Sequence, residues 1–431
     1  MTTPNTCPVT GTTDAPVDDA EPLRYPMAGP TALEPPVEWA WLRERCPVAP
    51  VRLPSGDTAV LLTRHDDVKA MLSDPRFTRE LVADDAARVG TAGNGAFEGR
   101  GAAEESVAGP EVDGAGGSTT SGPGHQRWRR LLGRSFTVKR VMALQPRIVE
   151  LTDELIDAMV AGGPTADLRS ALGFPLPVNV ICELLGVPAD RREEFAYWSD
   201  TMLNLTRYEQ AEIQTSAAEF QAYMVTLVQA KRAEPGDDLL SELAAVVDAE
   251  DGRMSEAELV ATGQGLLIAG HETTANMIGK MVSLLLAEPA RWRQLLADPG
   301  LVGPAVEEVL RFDANPGFGM PRYVSAQMEI AGTTVAPGTT VISSMAAANR
   351  DERVFPDAAR MDLTRQENPH LAFGAGPHSC IGQALARVEL QTVLGRLLER
   401  LPTLELAVTP AELRRREGLI VGGLEEVPVR W

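Results

Sequence analysis

The sequence predicts a mainly helical fold with a minor β region, and three observations carry that expectation. Apolar residues recur at spacings of three and four in stretches such as LQPRIVELTDELIDAMV and AEFQAYMVTLVQAKRA, the periodicity of an amphipathic helix. Alternation of β-branched residues is confined to short stretches, near residues 48–62, 328–343 and the C-terminal end. No GxGxxG or GxxxxGK[ST] fingerprint occurs, so nothing points to a nucleotide-binding α/β fold. Hydrophobic residues at 44% and charged residues at 23% suit a globular protein in water. No uncharged apolar run reaches the length of about 18 residues that a membrane span needs.

The elements follow in order. MTTPNTCPVTGTTDAPVDDAEP has neither the basic start nor the apolar stretch of a secretory signal. Residues 1–25 read as a flexible polar tail ahead of a single domain over residues 26–431, and a cytoplasmic location is expected. PVAPVRLPSGDTAVLLTRHDDVKAMLSD reads as short strands around a Ser-Gly turn, then a helix opening near Asp66. Between residues 90 and 124, 11 of 35 residues are glycine and the only aromatic is Phe97, so no packed core can form there. This segment is expected to be a long mobile loop, either a linker or a lid over a ligand. Helical patterning then runs from Gln126 to about Ala287. Its longest element begins at Ser255, which forms an S-x-x-E capping box with Glu258, and would measure roughly 48 Å if continuous to Ala287. The centre of that helix, GQGLLIAGHETTA, is apolar with one polar cluster, as suits a buried helix passing a ligand. MEIAGTTVAPGTTVISSM reads as a small sheet with a Pro337-Gly338 turn; a helix follows Cys380, and LIVGGLEEVPVRW reads as a hairpin.

Charge and cysteine usage narrow the partners. With 40 Lys plus Arg against 60 Asp plus Glu, the net charge of −20 would repel nucleic acid and anionic membranes, and neither is an expected partner. Cys7, Cys46, Cys182 and Cys380 lie without CxxC spacing or a matching pair of histidines. That argues against a disulfide framework and against a structural zinc site.

In FGAGPHSCIGQALAR, Cys380 stands between glycines and ahead of a helix, where free backbone N–H groups favour a thiolate. Glycines 374, 376 and 382 permit positive φ and the close approach of a flat, bulky group. Three readings are open for this cysteine alone. It is a soft ligand beside a planar cofactor, a buried small hydrophobe, or a nucleophile paired with His378. The last is weakened because residues two apart in an extended loop point away from each other.

The run F-G-x-G-x-H-x-C-x-G-x-x-L-A-R resembles, at every position, the haem-ligand loop of the cytochrome P-450 family. The resemblance implies that family's fold, a large helical domain plus a small β-rich domain around a buried haem b. It implies Cys380 as the thiolate ligand of the iron, His378 on a haem propionate and Phe373 shielding the sulfur. AGHETT, residues 269–274, is similar to the family's oxygen-binding groove and implies Glu272 and Thr273 as a catalytic pair directing protons. Its local reading, compatible with that role, is Thr273 bonded back to the Ala269 carbonyl. Glu308 and Arg311 match the family's E-x-x-R. With a later arginine, here Arg360 in DAARMD, they would form a buried network under the haem loop. His125 and Arg129, as H-x-x-x-R, and Arg322 match positions that hold propionates. The residues before His125 read Ser-Gly-Pro-Gly where the family carries an acidic-Pro-Pro-Glu run. The likeness covers nearly all of the chain beyond the tail.

By that resemblance the chain is expected to be a monomeric haem-thiolate monooxygenase of the soluble bacterial type. It would hydroxylate or epoxidise a small, largely hydrophobic molecule of secondary metabolism, with electrons from a ferredoxin and ferredoxin reductase. Arg127, Arg130, Arg134, Lys139 and Arg140 are candidates for part of an acidic ferredoxin's docking face, against the plain reading of a solvated surface. Two alternatives stand beside it: a haem-thiolate enzyme that couples radicals into C–C, C–N or aryl bonds without retaining oxygen, and a haem protein that binds a ligand without turnover. The resemblance places specificity in the loop before His125, the helix pair over residues 194–232, the turn 315–320 and the segment 418–422. Met202, Leu205, Leu266, Phe318 and Ile420 are candidate wall residues, all apolar.

Overall fold

The computed structural model describes residues 22–79, 81, 83, 85–89, 122–188, 191–204, 207–248, 252–319 and 321–431. The first part of the chain builds β1 (Leu23–Arg24), α1 (Glu38–Arg45), β2 (Val48–Arg52), β3 (Thr58–Leu62), α2 (His65–Ser73) and β4 (Phe77–Thr78). The helical part comprises α3 (Gly122–Ser135), α4 (Val138–Ala161), β5 (Thr165–Asp167), α5 (Pro175–Leu185), α6 (Arg192–Leu203), α7 (Gln210–Ala233) and α8 (Leu239–Ala245). A short pair, β6 (Val247–Asp248) and β7 (Gly252–Arg253), leads into α9 (Glu256–Leu286), α10 (Pro289–Ala297) and α11 (Val302–Phe312). The remainder holds β8 (Pro321–Val324), β9 (Met328–Ile330), β10 (Thr333–Val335), β11 (Thr340–Ser343), α12 (Met345–Ala348), α13 (Gln383–Arg400), β12 (Glu405–Leu406), β13 (Arg415–Arg416), β14 (Gly423–Leu424) and β15 (Pro428–Arg430). The fold is mainly helical with several small sheets, as the periodicity predicts.

The largest sheet has the order β1-β2-β3-β11-β8-β4. Gly56, at φ 92°, turns the chain between β2 and β3, which pair antiparallel. β11 then lies parallel to β3, with Val341 opposite Val60. Because β1 pairs with β2, the boundary expected after residue 25 falls inside this sheet. Most of the glycine-rich segment lies outside the described residues, but its expected end is corrected: Gly122 already opens α3.

Helix α9 is the axis of the molecule. Ser255 Oγ accepts from Glu258 N–H at 3.1 Å and Ser255 N–H donates to Glu258 Oε2 at 2.7 Å, closing the capping box read from the sequence. From there 31 residues run as one helix, buried on nearly every face, because α5, α7, α11 and α13 all pack on it. Helix α4 packs along α13 on the far side. Two local expectations are corrected. β14 and β15 do not form a hairpin with each other, since β14 pairs with β13 and β15 lies between β12 and β5. Cys182 and Cys380 are free thiols, whereas Cys46 is disulfide-bonded, which its spacing gave no reason to expect. No described helix is long and apolar enough to cross a membrane.

Candidate active site

Residues 371–382 form a series of tight turns in front of α13. Gly374 N–H donates to Leu371 O at 2.8 Å, Ser379 N–H to Gly376 O at 3.1 Å, and Cys380 N–H to Phe373 O at 2.8 Å. Gly376 holds φ 67° and sits so close to α2 that a Cβ would come within 2.6 Å of Leu72 O, so only glycine fits. Cys380 is accessible, so it does not serve as core filling. Protein atoms still crowd its sulfur enough for burial to push the thiol pKa up, against the Gly382 N–H and the Arg129 and Arg387 cations. A raised thiol pKa makes a poor free nucleophile, and no described hydrogen bond joins Cys380 to His378. The Arg387 guanidinium lies over the Phe373 ring at 4.4 Å. Arg387 also bonds Glu307 at 2.7 and 3.0 Å, and Glu307 takes His370 Nε2 at 3.1 Å.

Behind the loop, Glu308 and Arg311 are fully buried and form a two-toothed pair at 2.7 and 2.8 Å. All five guanidinium N–H groups of Arg311 are used. Three go to the carbonyls of Asn349, Ala358 and Arg360 and two to Glu308. Glu308 also accepts from Asp362 N–H, Arg365 Nε and Asn368 Nδ2 at 2.8, 3.1 and 3.3 Å. The third arginine of the network is therefore Arg365, not Arg360. Arg360 gives only its carbonyl, and its side chain is 70% exposed against 10% for Arg365. Both arginines lie within a few residues of each other, and sequence spacing alone does not choose between them.

Above the cysteine loop lies a cluster of cations and imidazoles. His125 stacks on His378 with ring centroids 4.1 Å apart. Burial, with Arg79 and Arg129 beside it, pushes His125 down to about 4. Burial, then Arg79, His125, Arg322 and Arg129, pushes His378 down to about 3. Arg322 is 4% exposed and pushed down by burial to about 10. No described carboxylate forms an ion pair with Arg129, and His378 Nδ1 is buried without a hydrogen-bond partner. The structure thus brings His125, Arg129, Arg322, His378 and Cys380 together and adds Arg79, which no motif marks. The expected basic docking cluster is corrected: Arg127 is buried against Glu258 at 2.6 Å and Arg140 is paired with Glu242, leaving Arg130, Arg134 and Lys139 on exposed positions.

On α9, Thr273 Oγ1 donates to Ala269 O at 2.9 Å, the local bond expected from the sequence. Ala269 is exposed and Thr273 half-buried within a helix whose other residues are mostly buried, so this turn faces an opening. Glu272 is 2% exposed, and its Oε1 accepts from Arg416 Nη1 at 2.8 Å and Asn276 Nδ2 at 3.1 Å. Arg416 also bonds Asp200 at 2.6 Å, and Asp200 takes Tyr208 Oη at 2.7 Å. These groups, with Arg169, line a cavity of about 260 Å³. Leu266, Phe318 and Ile420 are buried and Met202 half-buried, while Leu205 and Met320 lie outside the described residues.

Residues 300–415 match the cytochrome P-450 family model. Nocardicin C N-oxygenase of Nocardia uniformis subsp. tsuyamanensis is 41% identical over 409 residues, covering 94% of this chain and 98% of that protein. The chain belongs to the cytochrome P-450 family. Mycinamicin IV hydroxylase/epoxidase of Micromonospora griseorubida is 40% identical, over 96% of this chain and 99% of its own length. Among solved structures, the putative thioether synthase SgvP, involved in the tailoring step of griseoviridin, matches with a TM-score of 0.85 at 37% identity, over 96% of this chain and 100% of that one. This cytochrome P-450 is accordingly an oxidoreductase, a monooxygenase of a family whose cofactor is haem. Sequence reasoning missed Arg79, Arg365, Arg416 and Asn276. Only Asn276 had a local signal, four residues after Glu272 on the same helix face.

Proposed function

We propose that this cytochrome P-450 is a haem-thiolate monooxygenase that hydroxylates or epoxidises a small, largely hydrophobic molecule of secondary metabolism in the cytoplasm. Electrons come from a ferredoxin and its reductase. The observation that carries the reading is accessible Cys380 beside a cluster of Arg79, Arg129 and Arg322 with two neutral imidazoles. That donor set fits haem b, whose two propionates would meet the cations and the unpartnered His378 Nδ1. In this assignment Cys380 holds the iron, and His125, Arg129, Arg322 and His378 hold the propionates. The haem, when bound, supplies reductive activation of dioxygen.

The chain's own residues do the rest. Thr273 Oγ1 holds a proton-carrying water at the opened turn, and Glu272 passes protons inward from the cavity it shares with Asp200 and Tyr208. Leu266, Phe318 and Ile420 keep bulk water from the reacting centre and favour an apolar ligand. Relatives named for nocardicin C and mycinamicin IV support a natural-product substrate. Arg130, Arg134 and Lys139, next to exposed Val138, support ferredoxin docking near the start of α4.

Thr273→Ala tests the assignment. The variant should keep haem and stability, because alanine suits a helix, while product per NAD(P)H falls and hydrogen peroxide rises. Wild-type coupling in that variant would remove the oxygen-activation role. The likeness to SgvP favours a second reading, oxidative bond formation without oxygen retention. Product formed under labelled dioxygen separates the two.

A further inference from the structure

A closed ring of contacts surrounds Glu272. Asn276 lies one turn further along α9, is 2% exposed, and its Nδ2 donates both to Glu272 Oε1 and to Val421 O, each at 3.1 Å. Val421 sits at the tip of the hairpin formed by β13 and β14, where Arg416 pairs with Gly423. The same hairpin returns Arg416 to Glu272 Oε1. Around Gly423 there is no slack, since a Cβ there would lie 2.3 Å from Asn276 Oδ1. The hairpin is pinned further by Asn315 Nδ2 on Gly423 O at 3.0 Å, and Lys280, one turn beyond Asn276, holds Asn315 O at 3.0 Å. Two donors thus occupy Oε1, while no described group donates to Oε2 and the carboxylate borders the cavity.

We infer that Asn276 is a positioning residue for Glu272. By tying the carboxylate to the β13–β14 hairpin it fixes Oε1 between Nδ2 and Arg416, leaving Oε2 as the oxygen that exchanges protons with the cavity. The inference rests on the reading that Glu272 passes protons. Orientation is set from both ends of the ring, so a disturbance on the hairpin side reaches the carboxylate without touching α9.

Three variants of the haem-loaded protein test it: Asn276→Ala; Asn276→Asp, which keeps the shape but turns the donor into an acceptor; and Gly423→Ala, which pushes Asn276 from the hairpin side. The first readout is hydrogen exchange at the amides of Phe318, Gly319 and Ile420, which bond Leu419 O, Ile420 O and Leu203 O along this segment. The second is the solvent deuterium isotope effect on NADPH oxidation driven by a plant-type ferredoxin and its reductase, with no substrate added. All three variants should exchange about fivefold or more faster at those amides, the loss of one hydrogen bond's worth of local stability, and should at least double the isotope effect. Glu272→Gln should raise the isotope effect and leave the exchange rates near wild type. Faster exchange with a wild-type isotope effect in the Asn276 variants, while Glu272→Gln alters it, makes Asn276 merely structural and overturns the inference, as does unchanged exchange. An isotope effect unchanged by Glu272→Gln instead removes the proton role of Glu272, and the inference falls with it.

Discussion

Two arginine-rich regions lie on either side of the cysteine loop, and they are built on opposite rules. Below it, Arg311 and Arg365 converge on Glu308, every N–H of Arg311 finds an acceptor, and the pair is completely buried. Above it, Arg79, Arg129 and Arg322 crowd His125 and His378 strongly enough to keep both imidazoles neutral. The first region satisfies itself and is a support. The second carries an excess of positive charge that a propionate-bearing cofactor would balance. The difference teaches that the number of arginines says little about role, whereas the presence or absence of an internal carboxylate says a great deal.

Variants can break or sharpen that contrast. The largest effect is expected from Cys380→Ser, between the two regions: the strongly red-shifted Soret band of the reduced carbon monoxide complex should vanish, and its survival would remove Cys380 as the ligand. Next, Glu308→Gln should destabilise the fold by about 3–5 kcal/mol, because Arg311 and Arg365 are left buried without their carboxylate. Denaturant unfolding measures this. Arg129→Met should do the reverse. Its apoprotein should unfold within about 1 kcal/mol of wild type, while haem dissociates roughly thirtyfold faster, the equivalent of about 2 kcal/mol. Equal losses of stability in both variants would erase the distinction between support and ligand site.

The smallest effect concerns Glu389 on α13, which is 1% exposed with Oε2 unpartnered, and burial pushes its carboxyl well above the usual value near 4.5. A raised carboxyl pKa contributes stability below that usual value and loses it as pH rises. Glu389→Leu should therefore unfold later than wild type at pH 8, by about 1–2 kcal/mol, with the gap closing as pH falls toward 4.5. An identical pH profile in both proteins would show that the carboxyl stays solvated.

The sequence speaks where the signal is local. The start of α9 is written in Ser255 and Glu258, the turn between β2 and β3 in Gly56, and the cysteine loop in glycines whose positive φ the structure retains. It is silent where the partner is far along the chain. β15 is three residues long and pairs with β5, more than 250 residues earlier, so local alternation suggested a hairpin that does not exist. Arg416 reaches Glu272 across 144 positions, and nothing near Arg416 announces an acidic partner. Arg360 and Arg365 differ only in which one turns inward, and tertiary packing decides that.

The β13–β14 hairpin has a practical consequence for anyone who treats the C-terminal turns of this cytochrome P-450 as an exchangeable cassette. Its tip and its stem are occupied by the same carboxylate system, Val421 O by Asn276 and Arg416 by Glu272. A graft that imports another relative's residues 415–424 to alter ligand preference also imports a new counterion for an acid buried in α9. Libraries built on this segment should therefore hold Arg416 and Gly423 constant and vary residues 417–420 alone.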